Sequence, residues 1–349
     1  MVSSIGIFVS RQHSGMGIAG NIVRSADWRR LAASGRAGKL AGMTTSLHSN
    51  MAPQGYLIGI DGGGSGTRVV LADTSGRELA RAAGGPSGLG LGVARAWREI
   101  EAACERAFAA AGLSLDWAAC SLGCGLAGVN HAGWLAEFRA LAPGLRALAV
   151  ESDAYTTLLG AHGGAPGVIA ALGTGSIAAV LDAKGACRIA GGYGFPSGDE
   201  ASGAWLGLRA VVHLQRVLDG RAPADAWSDA LLTLTGATDR DNLVVWLCAA
   251  NQTAYATLAP SVFEHRGHPF AAALLADAGR EIERLVAALD PAGALPVALC
   301  GGLAAPYEPL VPPALRDRLR APIADSAAGA LQLVQRALAA APGGHSRAS

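Results

Sequence analysis

The chain has 349 residues, a formal net charge of +1 and only 16% charged side chains. That length allows two domains enclosing a cleft, and the near-neutral balance gives no electrostatic footprint for nucleic acid or an anionic membrane. Six scattered cysteines without a CxxC pair exclude an obvious zinc or redox motif and read as free buried thiols.

Residues 1–54 are rich in Ser, Gly and Arg, carry one acid, Asp27, and lack periodicity, so they read as a disordered extension. Met43 and Met51 are further possible starts. No cleavable signal is evident, and a cytoplasmic location is expected. From Ile58 the sequence reads "IGIDGGGSGTRVVLADTSGREL". An apolar strand, a glycine loop and a β-branched strand follow one another, then a D-x-x-G turn at Asp73 to Gly76.

Val93, Trp97, Ile100, Cys104 and Phe108 recur at steps of three and four, which predicts one amphipathic helix over 93–111 with Gly112 as its stop. "CSLGCGLAG" and "RALAVESD" read as strands ending on polar turns. Asp153 follows the second of these and precedes a helical pattern. Its carboxylate is therefore expected at the carboxyl end of a strand, where open α/β sheets bind ligands.

The uncharged stretch from Leu158 to Leu181 is long enough to span a bilayer. Its glycine clusters instead divide it into a helix end, a strand, a turn and a strand. Within it begins "VIAALGTGSIAAVLDAKGACRI", which repeats the opening hairpin. Gly66 to Asp73 equals Gly175 to Asp182 in spacing, and both turns end on glycine. One domain type used twice, facing itself across a cleft, is the expected architecture.

Further on, "GGYGFPSGDEASGAWLG" sets aromatics among glycines and places Asp199 and Glu200 before a helix that runs to about Leu218. An aromatic face beside carboxylates suits a sugar. "LPVALCGGLAAP" reads as a strand followed by Gly301 and Gly302, whose backbone could lie against an adenine ring. "DSAAGALQLVQRAL" reads as a closing helix whose small residues allow close packing, and residues 341–349 as a loose tail.

The glycine loops lead into strands, whereas dinucleotide and Walker sites lead from a strand into a helix; no GxxxxGK[ST] loop is present. Converging amides of such loops, with the hydroxyls of Ser65 and Thr67, still suit an anion. Two hairpins can clasp a polyphosphate from both sides. Asp61 ends the first apolar run, where a carboxylate needs a compensating positive charge; magnesium on ATP is the expected source. A carboxylate able to orient a hydroxyl and take its proton is the other requirement of phosphoryl transfer, and Asp153 is placed for it.

In order and spacing these motifs resemble the sugar kinase, actin and heat-shock-chaperone ATPase superfamily, whose fold is a duplicated ribonuclease-H-like α/β fold. The match covers about Tyr56 to Ala340 and is nearest to N-acetylglucosamine kinases and bacterial glucosamine kinases, which share a family with ATPase activators of 2-hydroxyacyl-CoA dehydratases. The resemblance implies lobes at 55–160 and 161–340. "DGGGSGT" and "ALGTGS" look like the two phosphate loops, which implies nucleotide contacts at Gly63, Gly64, Ser65, Gly66, Thr67, Gly173, Thr174 and Gly175; "ALCGGLA" looks like the adenosine motif at Gly301 and Gly302.

By the same resemblance Asp153, in "SDA", is the base, and Ser176, Gly192, Tyr193, Gly194 and Asp199 are the sugar site. Tryptophan is the more usual residue at 193, and an asparagine often contacts the sugar near Gly88. The expected activity is transfer of phosphate from Mg2+-ATP to the 6-hydroxyl of N-acetylglucosamine or glucosamine. Another sugar such as N-acetylmuramate, a dehydratase activator with iron-binding cysteines, and a non-catalytic sensor are the alternatives. Neither nucleic acid nor membrane is an expected partner, and a homodimer is allowed.

Overall fold

The structure, a computed structural model, describes residues 55–340; the tails expected at 1–54 and 341–349 lie outside the described residues. β1 (Tyr56–Gly62), β2 (Thr67–Asp73) and β3 (Glu78–Gly84) form an antiparallel meander. After α1 (Val93–Ala110), β4 (Cys120–Leu126) lies parallel to β1, and α2 (Ala132–Ala140) leads to β5 (Ala147–Glu151). The first sheet therefore has the order β3-β2-β1-β4-β5.

Beyond α3 (Asp153–His162) the meander returns as β6 (Gly167–Leu172), β7 (Ser176–Leu181) and β8 (Cys187–Gly191). Six helices intervene: α4 (Gly203–Leu218), α5 (Ala226–Thr235), α6 (Arg240–Ala249), α7 (Gln252–Ala256), α8 (Ala259–Glu264) and α9 (Pro269–Leu289). β9 (Val297–Cys300) then pairs parallel to β6, giving β8-β7-β6-β9. α10 (Ala304–Tyr307), α11 (Pro313–Arg316) and α12 (Ser326–Ala340) complete the described chain. Beyond β9, Val297 also makes one isolated parallel bridge to Leu319.

The sequence repeat is also a repeat of hydrogen bonds. Gly76 N donates to Asp73 O at 2.9 Å, and Gly185 N to Asp182 O at 3.0 Å. Asp73 Oδ1 accepts from the amides of Ser75 and Arg77, and Asp182 Oδ1 from those of Lys184 and Ala186. Both closing glycines are left-handed, with φ of +89° and +79°, a conformation that costs glycine little.

Alternation along β1 and β2 gives the first sheet two apolar faces. Ile58, Ile60, Val69 and Leu71 pack with α1, while Leu57, Val70 and Ala72 pack with Ala327, Leu331 and Val334 of α12. α3, which follows β5, packs instead on the second sheet, through Leu158 and Leu159 against Ile169, Ala179 and Ala298. The two helices are thus exchanged between the sheets and meet each other in the middle. The closing helix of the region 161–340 completes the sheet of the region 55–160.

Glycine permits that central contact. A Cβ on Gly59 would lie 2.1 Å from Ala327 O, one on Gly123 1.9 Å from Ala330 O, and one on Gly329 1.9 Å from Thr156 O. The outer faces are covered by α1 and by the α4 and α9 layer. No described helix is long and apolar enough to cross a membrane; the stretch from Leu158 divides into the end of α3, β6, a turn and β7. All six cysteines are free, but only Cys104, Cys120 and Cys124 are buried as expected; Cys187 and Cys300 are half-buried and Cys248 is exposed.

Candidate active site

Asp61, one residue from the end of β1, shares the sheet face of Leu57 and Gly59 and so emerges where α12 begins. Its register partner on β2 is Arg68, and Arg68 Nη1 lies 3.0 Å from Asp61 Oδ2. The Ser326 hydroxyl also bonds Asp61 and lies 2.9 Å from Thr156 Oγ1 on α3. Part of the positive charge expected from a metal is therefore supplied by an arginine. It does not suffice: burial pushes the Asp61 pKa above 3.8, and Arg68 only partly offsets it.

Asp153 is the first residue of α3, and Ser152 rather than Asp153 caps the helix, accepting from Tyr155 N at 3.2 Å. Asp153 Oδ1 accepts from Ala154 N at 2.9 Å. Burial, followed by the nearby Asp61 carboxylate, raises its pKa. The Asp61 charge thus reaches Asp153, which brings the two expected site aspartates into one neighbourhood.

The first glycine loop is closed by Gly63 N donating to Gly66 O at 3.0 Å, and Ser87 N and Gly88 N both donate to Gly63 O. Gly64 and Ser65 are exposed. Thr67 is not available as the expected phosphate donor. It begins β2 on the buried side, 1% exposed, with its hydroxyl 2.6 Å from both Gly85 O and Ser87 Oγ.

The second loop is closed by Gly173 N donating to Gly175 O at 2.9 Å, and its carbonyls at Gly173 and Thr174 accept from Gly203 N and Ala204 N at the start of α4. The Gly301 turn is bound to the same place: Leu303 N donates to Leu172 O, and a Cβ on Gly301, at φ +89°, would lie 2.4 Å from that oxygen. The second glycine loop and the Gly301 turn are thus brought together.

In the expected sugar site, Ser176 is buried and its hydroxyl is committed to Glu200 O at 2.7 Å. Asp199 is 4% exposed, has φ of +59°, and accepts from Gln252 Nε2 at 2.6 Å. Burial raises its pKa, which the amides of Ser176 and Gly194 and the Gln252 side chain partly offset. It ties the 192–199 loop to the second glycine loop, for a Cβ on Gly175 would lie 2.7 Å from Asp199 Oδ2. Gly192 and Gly194 adopt φ of +71° and +84°, and Tyr193 between them is 88% exposed; it is Phe195 that packs, on Tyr255. Glu200 Oε2 is buried without a hydrogen-bond partner.

Arg68, Ser326 and Gln252 contact the expected site aspartates, and the sequence did not suggest them. Arg68 was accessible from register, since a hairpin that pairs Gly62 with Thr67 must pair Asp61 with Arg68. Nothing local marks the other two.

The two glycine loops do not use the backbone freedom of glycine. Neither loop contains a positive-φ residue, and a Cβ on Gly63, Gly64, Gly173 or Gly302 would meet nothing within 4 Å. Neither conformation nor packing within the chain calls for glycine there. Close approach of a ligand to the backbone is a reason that remains.

The profile of the BadF/BadG/BcrA/BcrD ATPase family matches residues 58–330. The chain is 32% identical to the glucosamine kinase of Vibrio cholerae over 279 residues, 79% of this chain and 94% of that protein. The N-acetyl-D-glucosamine kinase of Dictyostelium discoideum is 27% identical over 256 residues, 68% of this chain and 76% of that protein. A structure from Chromobacterium violaceum, described as a candidate N-acetylglucosamine kinase, superimposes with a TM-score of 0.79 at 48% identity, covering 81% of this chain and all of that one. These matches carry the duplicated actin-like ATPase fold that the resemblance implied.

Proposed function

The chain belongs to the BadF/BadG/BcrA/BcrD ATPase family, and from that premise we propose that it is a sugar kinase that transfers phosphate from ATP to the 6-hydroxyl of glucosamine or N-acetylglucosamine. The observation that carries the reading is the set of glycines at 63, 64, 173 and 302, which have no internal reason to be glycine. They lie on the two repeated hairpins and the turn after β9, the three places where a nucleotide's phosphates and base would meet backbone. The names of the relatives support the choice of an aminosugar.

Asp153 is the proposed base. Its raised pKa makes it a better proton acceptor than a free aspartate, and Ala154 N holds one oxygen while the other remains for the sugar hydroxyl. Asp61, with its own pKa raised by burial, is the proposed partner of magnesium. Two neighbouring, half-buried carboxylates fit a hard divalent cation, which when bound neutralises charge on the transferring phosphoryl group. Amides of the two glycine loops hold the phosphates, and Asp199 holds the loop that receives the sugar. Closure of the lobes excludes water as a competing acceptor.

A panel of sugars assayed with Mg2+-ATP tests the reading. Turnover of glucosamine or N-acetylglucosamine is expected, and a good rate on a neutral hexose with neither aminosugar used would refute it. The dehydratase-activator reading requires thiolates for iron. Burial pushes the Cys300 thiol, at the end of β9, up to about 12, and colourless, iron-free protein is the expected product of purification.

A further inference from the structure

Away from this site, α4, α5 and α9 bring together three side chains with metal-ligand chemistry. His213 lies on α4, Asp225 caps α5 and His268 caps α9, and one ligand atom from each lies within 4.8 Å of the others. His213 is 5% exposed, and its Nε2 is buried without a hydrogen-bond partner. Such an atom is costly to leave unpaired. The lone pair of a neutral imidazole is also the commonest nitrogen ligand for a metal ion.

The surroundings orient all three groups. The His213 ring stacks on Trp227 and on Phe270, with centroids 4.9 Å away in each case. Asp225 uses Oδ1 to accept from Trp227 N and Ser228 N, which leaves Oδ2 free to face His268 Nε2 at 2.8 Å. His268 Nδ1 accepts from Phe270 N at 3.2 Å, so without a metal its Nε2–H donates to Asp225.

We propose that His213, Asp225 and His268 form a binding site for a zinc-type divalent ion, which ties α4, α5 and α9 together. Two imidazoles and one carboxylate suit zinc and leave a fourth tetrahedral position for water. His268 and Asp225 side chains are 22% and 29% exposed and give the ion its entry. Bonds of about 2.0–2.2 Å place ligand atoms roughly 3.3–3.6 Å apart, so the widest pair closes by about an ångström of side-chain rotation. On coordination the His268 proton moves from Nε2 to Nδ1, and the contact with Phe270 N is given up. Asp225 keeps both capping bonds. Its carboxylate also offsets Arg216, which lies over Phe270 at 5.6 Å from the ring centroid. Magnesium, which prefers oxygen ligands, is not the ion for this site.

The test uses the full chain, free of any affinity tag and stripped with a chelator, titrated with cobalt chloride and then zinc chloride. One Co2+ per chain is expected, with the visible absorption of a four-coordinate ion, displaced by zinc, and a rise in Tm on zinc addition. His268→Ala should abolish the absorption. Asp225→Asn, which retains a capping oxygen, should weaken binding by about tenfold or more. Absence of the absorption in the parent protein, or its persistence unchanged in His268→Ala, would overturn the site. Since no readout involves phosphoryl transfer, its outcome is independent of the kinase reading.

Discussion

Arg68 is both the register partner and the ion-pair partner of Asp61, at 3.0 Å, yet Asp61 remains harder to ionise than a free aspartate. The guanidinium is 71% exposed, so water weakens its hold on a carboxylate that is itself largely buried. Replacing Arg68 with Gln removes a charge that lowers the Asp61 pKa, and the acid limb of the pH profile of kcat/KM should move to higher pH. At pH 7 the loss should be modest, up to about fivefold, as for an exposed pair worth ~0.2–1 kcal/mol. An unmoved acid limb would show that Asp61 ionisation does not matter to turnover.

Asp153→Asn should lower kcat by about 10²–10⁴-fold, the range expected for loss of a positioned base, while ATP binding measured by calorimetry persists. It should also raise Tm at neutral pH. The folded pKa of Asp153 lies above 3.8, so its protonated form is favoured by folding and its ionised form is not. Below about pH 3.8 the variant and the parent protein should therefore unfold alike. The advantage of the variant grows as pH rises through the folded pKa and is complete above it. A Tm difference independent of pH would contradict the assigned cause.

Two glycine-to-alanine changes should separate ligand clearance from packing. In Gly63→Ala the new methyl meets nothing within 4 Å, so stability should stay within about 0.5 kcal/mol while KM for ATP rises by roughly tenfold or more. Gly329→Ala drives its methyl to 1.9 Å from Thr156 O. Despite a better helix former, it should cost ~1–3 kcal/mol with little change in KM for ATP. Thermal unfolding and initial-rate kinetics on both variants decide the matter.

Tyr307, fully buried, donates from its hydroxyl to Ala201 O at 2.8 Å and steadies a turn in which Asp199 and Ala201 both hold φ near +60°. Non-glycine residues resist that region. Tyr307→Phe leaves a buried carbonyl unpaired and should destabilise by about 1–3 kcal/mol in denaturant unfolding, with a higher KM for the sugar as the 192–199 loop loosens.

Much of this was legible in sequence because the hairpins are local. Strand alternation, the two D-x-x-G turns and the helical pattern after Asp153 each follow from neighbours within ten residues. What was not legible depends on distant partners. Thr67 and Ser176 have the chemistry of phosphate and sugar donors, and only the packed fold shows their hydroxyls turned inward to Ser87 and Glu200. Gln252 reaches Asp199 across 53 positions. The exchange of α3 and α12 between the sheets has no local signal beyond small residues at Gly160, Gly329 and Ala330.

That exchange sets an order of events during synthesis. Leu57, Val70 and Ala72 are translated early, but their cover of Ala327, Leu331 and Val334 belongs to the last described helix. At roughly 5–20 residues per second the ribosome needs some tens of seconds to supply it. For that interval one face of the first sheet is apolar and uncovered, and Asp61 has no Ser326. The nascent chain is then both unfinished as a catalyst and most exposed to aggregation or to capture by a chaperone, and α12 ends both conditions.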